Sequence, residues 1–166
     1  GETVTSRYDG EGGVAMSSFV RQAAFALRFG ELEPLISNFV TDESRIIYIR
    51  DVQERVAALA PFLHWDADPY PVILDGRIQY VLDAYTTTSM YPYAQRADTD
   101  QLPAGSGLDH AFNYARNSVK AVVDTYDGTV DLFIVDEEDP IAAAYDDAFP
   151  DLFSPLEDMP VEMRDH

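Results

Sequence analysis

The sequence lacks cysteine, which excludes disulfide bonds, thiolate zinc sites, iron–sulfur clusters and cysteine nucleophiles. Basic residues are scarce: 11 lysines and arginines stand against 30 aspartates and glutamates, giving a net charge of −19. A field of that sign repels phosphate backbones and anionic lipids, so the composition excludes nucleic-acid binding. Long apolar runs are also missing, and none approaches the roughly 18 residues of a membrane span. We therefore expect no direct membrane insertion of this chain.

What the sequence does contain is enough apolar material for a core. Of its 166 residues, 46% are hydrophobic and 12% aromatic, as in folded proteins. This length suits one domain of ordinary size. We expect a single soluble domain over residues 1–166, with a flexible, glycine-rich lead-in over residues 1–13.

Helical periodicity appears on both sides of a central region. Apolar spacing and end signals predict helices over residues 14–29, 32–40, 41–60 and 140–148, with a further start at 161–166. Thr41 is the expected N-cap of the longest helix and Pro61 its end. In the first helix, one face is expected to pack on the core through Phe19, Ala23, Ala26 and Leu27.

Two hairpins are predicted where the apolar period changes from helical to alternating. Tyr70–Leu74 and Arg77–Thr87 flank Asp75-Gly76, a dipeptide typical of tight hairpin turns, and this turn places Ile73 opposite Ile78.

The second hairpin repeats this pattern around Asp127-Gly128, with strands over 119–126 and 129–136. A tight turn there predicts Val123 opposite Leu132 and Asp124 opposite Asp131. Opposed carboxylates require water or a cation between them, so we expect one buried face and one wet face.

These elements predict an α+β fold, in which an antiparallel sheet of about four strands, from two hairpins, packs against helices. Residues 89–112 join the hairpins as a long loop, and loops of this length inside compact domains are usually functional or mobile.

Several motifs resemble those of the UPF0182 family of uncharacterised bacterial membrane proteins, which is common in actinobacteria. The motifs span nearly the whole chain and are Arg7-Tyr8-Asp9-Gly10, Ala60-Pro61-Phe62-Leu63, Asp83-Ala84-Tyr85-Thr86-Thr87-Thr88, Tyr91-Pro92-Tyr93, Asn113-Tyr114-Ala115-Arg116-Asn117-Ser118-Val119-Lys120, Val123-Asp124-Thr125-Tyr126-Asp127-Gly128, Asp139-Pro140-Ile141, Phe149-Pro150-Asp151-Leu152-Phe153 and Met159-Pro160.

The resemblance implies that the chain is a piece of the extracytoplasmic region of a protein with several N-terminal membrane spans. The expected location is the extracytoplasmic face of the cell membrane, and the expected partner is the rest of the parent protein. The family has no assigned activity, so the resemblance supplies no catalytic residues.

Candidate chemistry is sparse. The histidines, His64, His110 and His166, accompany no nucleophile-elbow serine. Carboxylate catalysis needs two acidic groups facing across a cleft, and Asp83, Asp124 and Asp131 are the candidates on the wet face. Calcium binding is a hypothesis for the acidic segments 66–68 and 136–139, although neither follows the spacing of the EF-hand loop.

A tyrosine- and threonine-rich stretch is the preferred candidate for binding, because tyrosines present large amphipathic surfaces. An arginine within so acidic a chain is an expected anchor for a carboxylate. The predicted ligand or partner site comprises Tyr85, Thr87, Tyr91, Tyr93, Arg116 and Asn117. The alternative is that these residues only pack the long loop onto the sheet.

From these observations we predict a non-catalytic extracytoplasmic module used for assembly or partner contact, with no catalytic residues, no metal site and no cofactor. Two alternatives stay open: a carboxylate-based hydrolase, and a domain that binds a cation or small ligand. An enzyme needs a concave pocket with convergent polar groups, whereas an interaction module needs an exposed apolar patch.

Overall fold

The computed structural model describes residues 8–37 and 40–164. Within the domain predicted from the sequence, the chain forms two compact units. The first comprises the chain up to Tyr48 together with residues 126–128, and the second comprises the remainder. His166 and the first part of the predicted lead-in lie outside the described residues.

The first unit contains two short strands and two helices: β1 (Val14–Ala15), α1 (Phe19–Phe29), α2 (Glu33–Ile36) and β2 (Arg45–Ile46). β1 pairs antiparallel with β2, so the predicted helix over 14–29 begins later than expected. Its start is fixed by Ser18, whose hydroxyl accepts a hydrogen bond from the Arg21 amide. The helix ends at its C-cap, Gly30, which has a φ of 70°.

The helix predicted over residues 41–60 is wrong in its first half. The structure has β2 at 45–46 and begins α3 (Val52–Leu59) only after Asp51. The Asp51 carboxylate accepts the Glu54 amide hydrogen bond at 2.9 Å and so acts as the N-cap. Residues 46–49 are mainly isoleucine, which favours extended backbone over helix.

The second unit is built on a six-stranded mixed sheet with strand order β3-β5-β6-β7-β8, in which β4 also pairs with β5. After α3, its elements are β3 (His64–Trp65), β4 (Tyr70–Leu74), β5 (Arg77–Thr88), β6 (Tyr114–Asp124), β7 (Val130–Ile134), α4 (Pro140–Ala148), β8 (Phe153–Pro155) and α5 (Val161–Arg164).

The α+β class is confirmed, but the expected four-stranded antiparallel sheet is wrong. β3 and β8 extend it to six strands, and β8 pairs parallel with β7. At two and three residues, these strands are too short to show the alternation by which strands are recognised in a sequence.

The register of the first hairpin is confirmed, with Ile73 opposite Ile78, whereas the second hairpin is offset by two residues. Val123 pairs with Val130 rather than Leu132. The offset arises because the Asp124 amide bonds to the Thr129 carbonyl at 3.1 Å, which closes a longer loop than a two-residue turn.

The predicted opposition of Asp124 and Asp131 is therefore wrong. Asp131 lies opposite Val122, and Asp124 lies opposite Gln79 on the other neighbouring strand.

Both faces of the sheet carry apolar clusters, so the prediction of one wet face is also wrong. The first face packs beneath α3 and α4, and its buried residues include Val56, Leu82, Ala84, Val119, Ala121, Val123, Leu132, Ile134 and Ala142. The second face is covered by the C-terminal segment, which contributes Met159 and Met163. These side chains form a buried cluster with strand residues Val72, Val81, Val122 and Phe133. The chain after α4 therefore completes the core.

Candidate functional site

The sheet separates the residues predicted as one binding patch. Side chains alternate between the faces of a strand, and cross-strand partners share a face. Tyr85 pairs with Asn117, whereas Arg116 pairs with Thr86. Tyr85, Thr87 and Asn117 therefore lie on the second face, and Arg116 lies on the first.

The remaining two predicted residues belong to the irregular segment after β5. The Tyr91 ring stacks on Tyr114 of β6, with ring centroids 4.8 Å apart. Asn113 fixes this turn, because its amide oxygen accepts the Tyr91 amide and its nitrogen donates to the Tyr91 and Ala94 carbonyls. Tyr93 is fully exposed and has a φ of 59°. The six residues thus do not converge on one concave site.

At the end of the first face, a buried carboxylate accepts several side-chain hydrogen bonds. Asp139, the N-cap of α4, is inaccessible to solvent and accepts hydrogen bonds from Ser118 Oγ at 2.5 Å, Tyr114 Oη at 2.7 Å and Thr86 Oγ1. The Ile141 amide adds a bond of 3.0 Å. We call Asp139, Thr86, Ser118 and Tyr114 the Asp139 cluster.

A β-bulge brings Ser118 into this cluster. Ala84 pairs with Val119 and Tyr85 with Asn117, so Ser118 is an additional residue in β6. A bulge of this kind redirects a side chain that regular alternation would place elsewhere. Ser118 consequently lies 3.5 Å from Thr86 on the buried face, where both hydroxyls reach the same carboxylate oxygen.

The charges within the Asp139 cluster follow from its hydrogen bonds. Burial acts to raise the pKa of Asp139, but the bonds donated by Ser118, Thr86 and Tyr114 outweigh it and lower that pKa below 3.8. Burial and the bond to Asp139 raise the pKa of Tyr114 to about 12. An ionised carboxylate that accepts four hydrogen bonds stabilises the structure around it and has no proton to donate.

Arg116 lies beside this cluster and is anchored by a carboxylate, as the sequence suggested, but the carboxylate is the chain's own. Arg116 bonds Asp136 at 2.8 Å, and the charge of Asp136 raises the pKa of the guanidinium. Both side chains are about one-third exposed, so the pair is accessible to solvent.

On the second face, two histidines stack on each other. The rings of His64 in β3 and His110 in the long loop have centroids 3.7 Å apart and planes inclined by 18°. His110 Nε2 lies 2.8 Å from Thr87 Oγ1. Burial, followed by the neighbouring His110, lowers the pKa of His64 below 6.5. We call His64 and His110 the histidine pair.

The single lysine of the chain lies on the same face, half-buried within a polar group. Lys120 Nζ donates to Asp83 at 2.7 Å and to Tyr70 Oη at 3.3 Å. Burial and the charges of Asp66 and Asp83 raise the pKa of Tyr85 nearby. These contacts give Lys120 a structural role on the second face of the sheet.

Several of the carboxylates considered for catalysis or calcium have structural roles. Asp83 pairs with Lys120, and Asp124 lies 3.8 Å from Arg77. Asp66 and Asp136 each accept the amide hydrogen bond of the residue two positions later. Across residues 8–37 and 40–164, no three histidine, cysteine or acidic side chains are grouped to hold a metal ion.

The sequence predicted a helix over residues 140–148 but not the cluster around Asp139. Asp139-Pro140 gives the cap directly, because proline suits the first helical position. Nothing in the sequence marks the bulge at Ser118, which depends on how β5 and β6 pair. The stacking of the histidines, 46 positions apart, likewise depends on the path of the loop.

Comparison with known proteins gives one family. A family model described as "Uncharacterised protein family (UPF0182)" matches residues 1–166. Relatives named UPF0182 protein include those of Moorella thermoacetica and Frankia alni, both 46% identical over 98% of the chain. That of Methanospirillum hungatei is 41% identical over 99%. The chain spans about 17% of the length of the first two relatives. No solved structure matches it.

Proposed function

The chain belongs to the uncharacterised family UPF0182, and from this premise we propose that it is a non-catalytic module through which a longer parent protein assembles. It corresponds to about 17% of its relatives' length, which leaves a large remainder available as a partner. The proposed contact lies between this module and another segment of the parent.

The observation that carries the proposal is the exposed apolar stripe on α1. Val20, Ala24 and Leu27 follow the i, i+4, i+7 spacing of one helical face, and Val20 and Leu27 are 75% and 87% exposed. The predicted packing of Phe19 and Leu27 on the core is wrong, because both are exposed and only Ala26 of this helix is buried. An outward apolar stripe on a helix is typical of an interaction surface.

Beside this stripe lies a shallow apolar groove of about 320 Å³, lined by Val14, Ala24, Phe25, Arg28, Phe29 and Tyr48. The Phe25 ring stacks on Phe29 at 5.9 Å and lies 6.0 Å from Tyr48. A stripe bordered by such a groove can receive an amphipathic segment, with apolar side chains entering the groove.

Charge favours a segment of the parent over other occupants. At a net charge of −19, the chain is repelled by anionic membrane surfaces and by a second copy of itself. A tethered segment of the same protein has a high effective concentration and does not need high intrinsic affinity.

We favour this function over a carboxylate hydrolase because two of the three candidate carboxylates, and the buried Asp139, are already engaged. Asp83 and Asp124 face basic partners, and the oxygens of Asp139 are occupied by donors. No helix among the described residues is long and apolar enough to cross a membrane.

Leu27→Glu is expected to disturb the full-length parent and spare the isolated chain. In the isolated chain, a substitution at an 87% exposed position should change the free energy of unfolding by less than about 0.5 kcal/mol. In the parent, loss of a contact of about 2 kcal/mol should accelerate proteolysis near α1 by roughly thirtyfold. Limited proteolysis of both proteins measures the difference.

The control is Ile73→Glu, because Ile73 is 75% exposed on a strand of the second unit. It should leave proteolysis of the parent near α1 unchanged. Equal effects of Leu27→Glu in both proteins, or no effect in the parent, would contradict docking through α1. If the isolated chain forms a concentration-dependent dimer that Leu27→Glu abolishes, the occupant of the α1 surface is a second copy of the chain and not a segment of the parent.

We further propose that the module faces the extracytoplasmic side of the membrane, as the family resemblance implies. The chain has no cysteine, so Ser89→Cys would introduce a unique thiol at an exposed position. In the full-length parent, a membrane-impermeant maleimide should label this thiol in intact cells. The unsubstituted parent is the control, and labelling that appears only after cell lysis would contradict the proposed location.

A further inference from the structure

The histidine pair joins two segments that are distant in sequence. His64 belongs to β3 at the edge of the sheet, whereas His110 lies near the end of the long loop after β5. Their stacked rings are in van der Waals contact, with centroids 3.7 Å apart. The His110 ring also lies 5.6 Å from Phe112 and is bonded to Thr87. The pair therefore fastens the loop to the sheet.

The loop follows β3 closely over residues 105–112, which we call the strap. The Ala67 amide donates to the Gly105 carbonyl at 2.7 Å. Gly107 has a φ of 72°, and a Cβ atom built there would lie 2.5 Å from the Trp65 carbonyl oxygen. Only glycine fits at so close an approach, so the strap packs tightly against β3 at this position.

The contacts around the histidine pair favour uncharged rings. His110 Nδ1 is buried without a hydrogen-bond partner among the described residues. A proton added there would be a buried donor without an acceptor, which is costly. Two adjacent imidazolium rings would also repel each other. The lowered pKa of His64, due to burial and then to His110, agrees with this geometry.

Other titratable groups around the pair modify this preference. Asp109 in the strap acts to raise the pKa of His64 but is itself exposed, which weakens its effect. On the sheet, Tyr85 lies opposite His64, with Asp66 and Asp83 among the charges that act on its hydroxyl. Asp83 is neutralised by Lys120.

We propose that the histidine pair is a pH-sensitive clasp. Near neutral pH the uncharged rings hold the strap against β3, and under mildly acidic conditions protonation separates the rings and frees the strap. The released form gives His64 its ordinary affinity for protons, so it gains a proton before the closed form does. Opening is therefore favoured as pH falls through about 6.5, the ordinary histidine value. The clasp is independent of the docking surface on α1.

Hydrogen exchange of the whole chain at pH 7.5, 6.0 and 5.0, corrected for the intrinsic pH dependence of exchange, tests the clasp. Exchange in the strap should rise about tenfold or more as pH falls, because repulsion between two rings in contact exceeds the energy of a tenfold change. Exchange in β6 should stay constant. His110→Phe keeps a stacked ring without a titratable nitrogen and removes the repulsion between two charged rings, so exchange in its strap should rise less with falling pH than in wild type.

His64→Phe is the reciprocal variant and should also reduce the pH response. The proposal is overturned if exchange in the wild-type strap does not change with pH, or if both variants retain the full rise. Should neither variant fold, NMR titration of the wild-type chain decides the question. Strap amide signals that do not follow the titration of His64 and His110 would also overturn the clasp.

Discussion

Asp139→Ala is expected to lower the free energy of unfolding by about 3–5 kcal/mol, the combined cost of a lost N-cap and of buried hydroxyls left without an acceptor. The substitution leaves the hydroxyls of Thr86, Ser118 and Tyr114 without their acceptor inside the protein. It also removes the N-cap of α4. Urea-induced unfolding, followed by circular dichroism, measures the loss.

Asp136→Ala is the matched control, because it removes a carboxylate three positions away that is about one-third exposed. A surface ion pair of this kind contributes at most about 1 kcal/mol. If both variants lose the same free energy of unfolding, the Asp139 cluster contributes no more to stability than a surface ion pair.

The same carboxylate should give a distinctive dependence on pH. Its pKa is lowered in the folded state, so its contribution to stability is complete above the ordinary value of 3.8 and is lost as pH falls through the folded value. In Asp139→Asn this dependence should disappear. The difference in stability between wild type and Asp139→Asn, measured from pH 5 to pH 2, should therefore shrink as the pH falls. A constant difference would indicate that Asp139 has the same pKa in the folded and the unfolded chain, which contradicts the prediction.

Met159→Ala is expected to cost about 2–5 kcal/mol, as for other fully buried large side chains. Met159 is only 2% exposed and packs against Val72, Val81 and Phe133 on the second face of the sheet. Its truncation would leave a cavity between the C-terminal segment and the strands. Thermal and urea denaturation measure the loss.

Met90→Ala provides a control with the same chemistry, because Met90 is 85% exposed. Its effect should lie within about 0.5 kcal/mol. A loss below 1 kcal/mol for Met159→Ala would mean that the C-terminal segment only lies on the sheet and does not complete its core.

The sequence predicted those parts of the fold that depend on neighbouring residues. The turn at Asp75-Gly76 set the register of its hairpin, and Asp139-Pro140 set the start of α4. The helix predicted over 41–60 was wrong in its first half because the apolar spacing from Ile49 to Leu59 fits a helix, whereas the isoleucines at 46–49 favour extended backbone.

What the sequence did not predict depends on contacts between distant segments. The apolar cluster on the second face requires Met159 and Met163 to return across the sheet, and their apolar character alone does not specify which surface they cover. The proposed binding patch failed to converge for a related reason. Arg116 and Asn117 are adjacent in sequence, but neighbouring residues in a strand point to opposite faces.

The lengths of the outer strands have a consequence for how this chain behaves at high concentration. Its longest strands, β5 and β6, have 12 and 11 residues and lie inside the sheet, while β3 and β8 at the ends have two and three. β4, which also borders β5, contains Pro71 and so lacks one backbone donor. Short or proline-containing borders give other chains little backbone to pair with, and the fold thereby resists strand-to-strand aggregation.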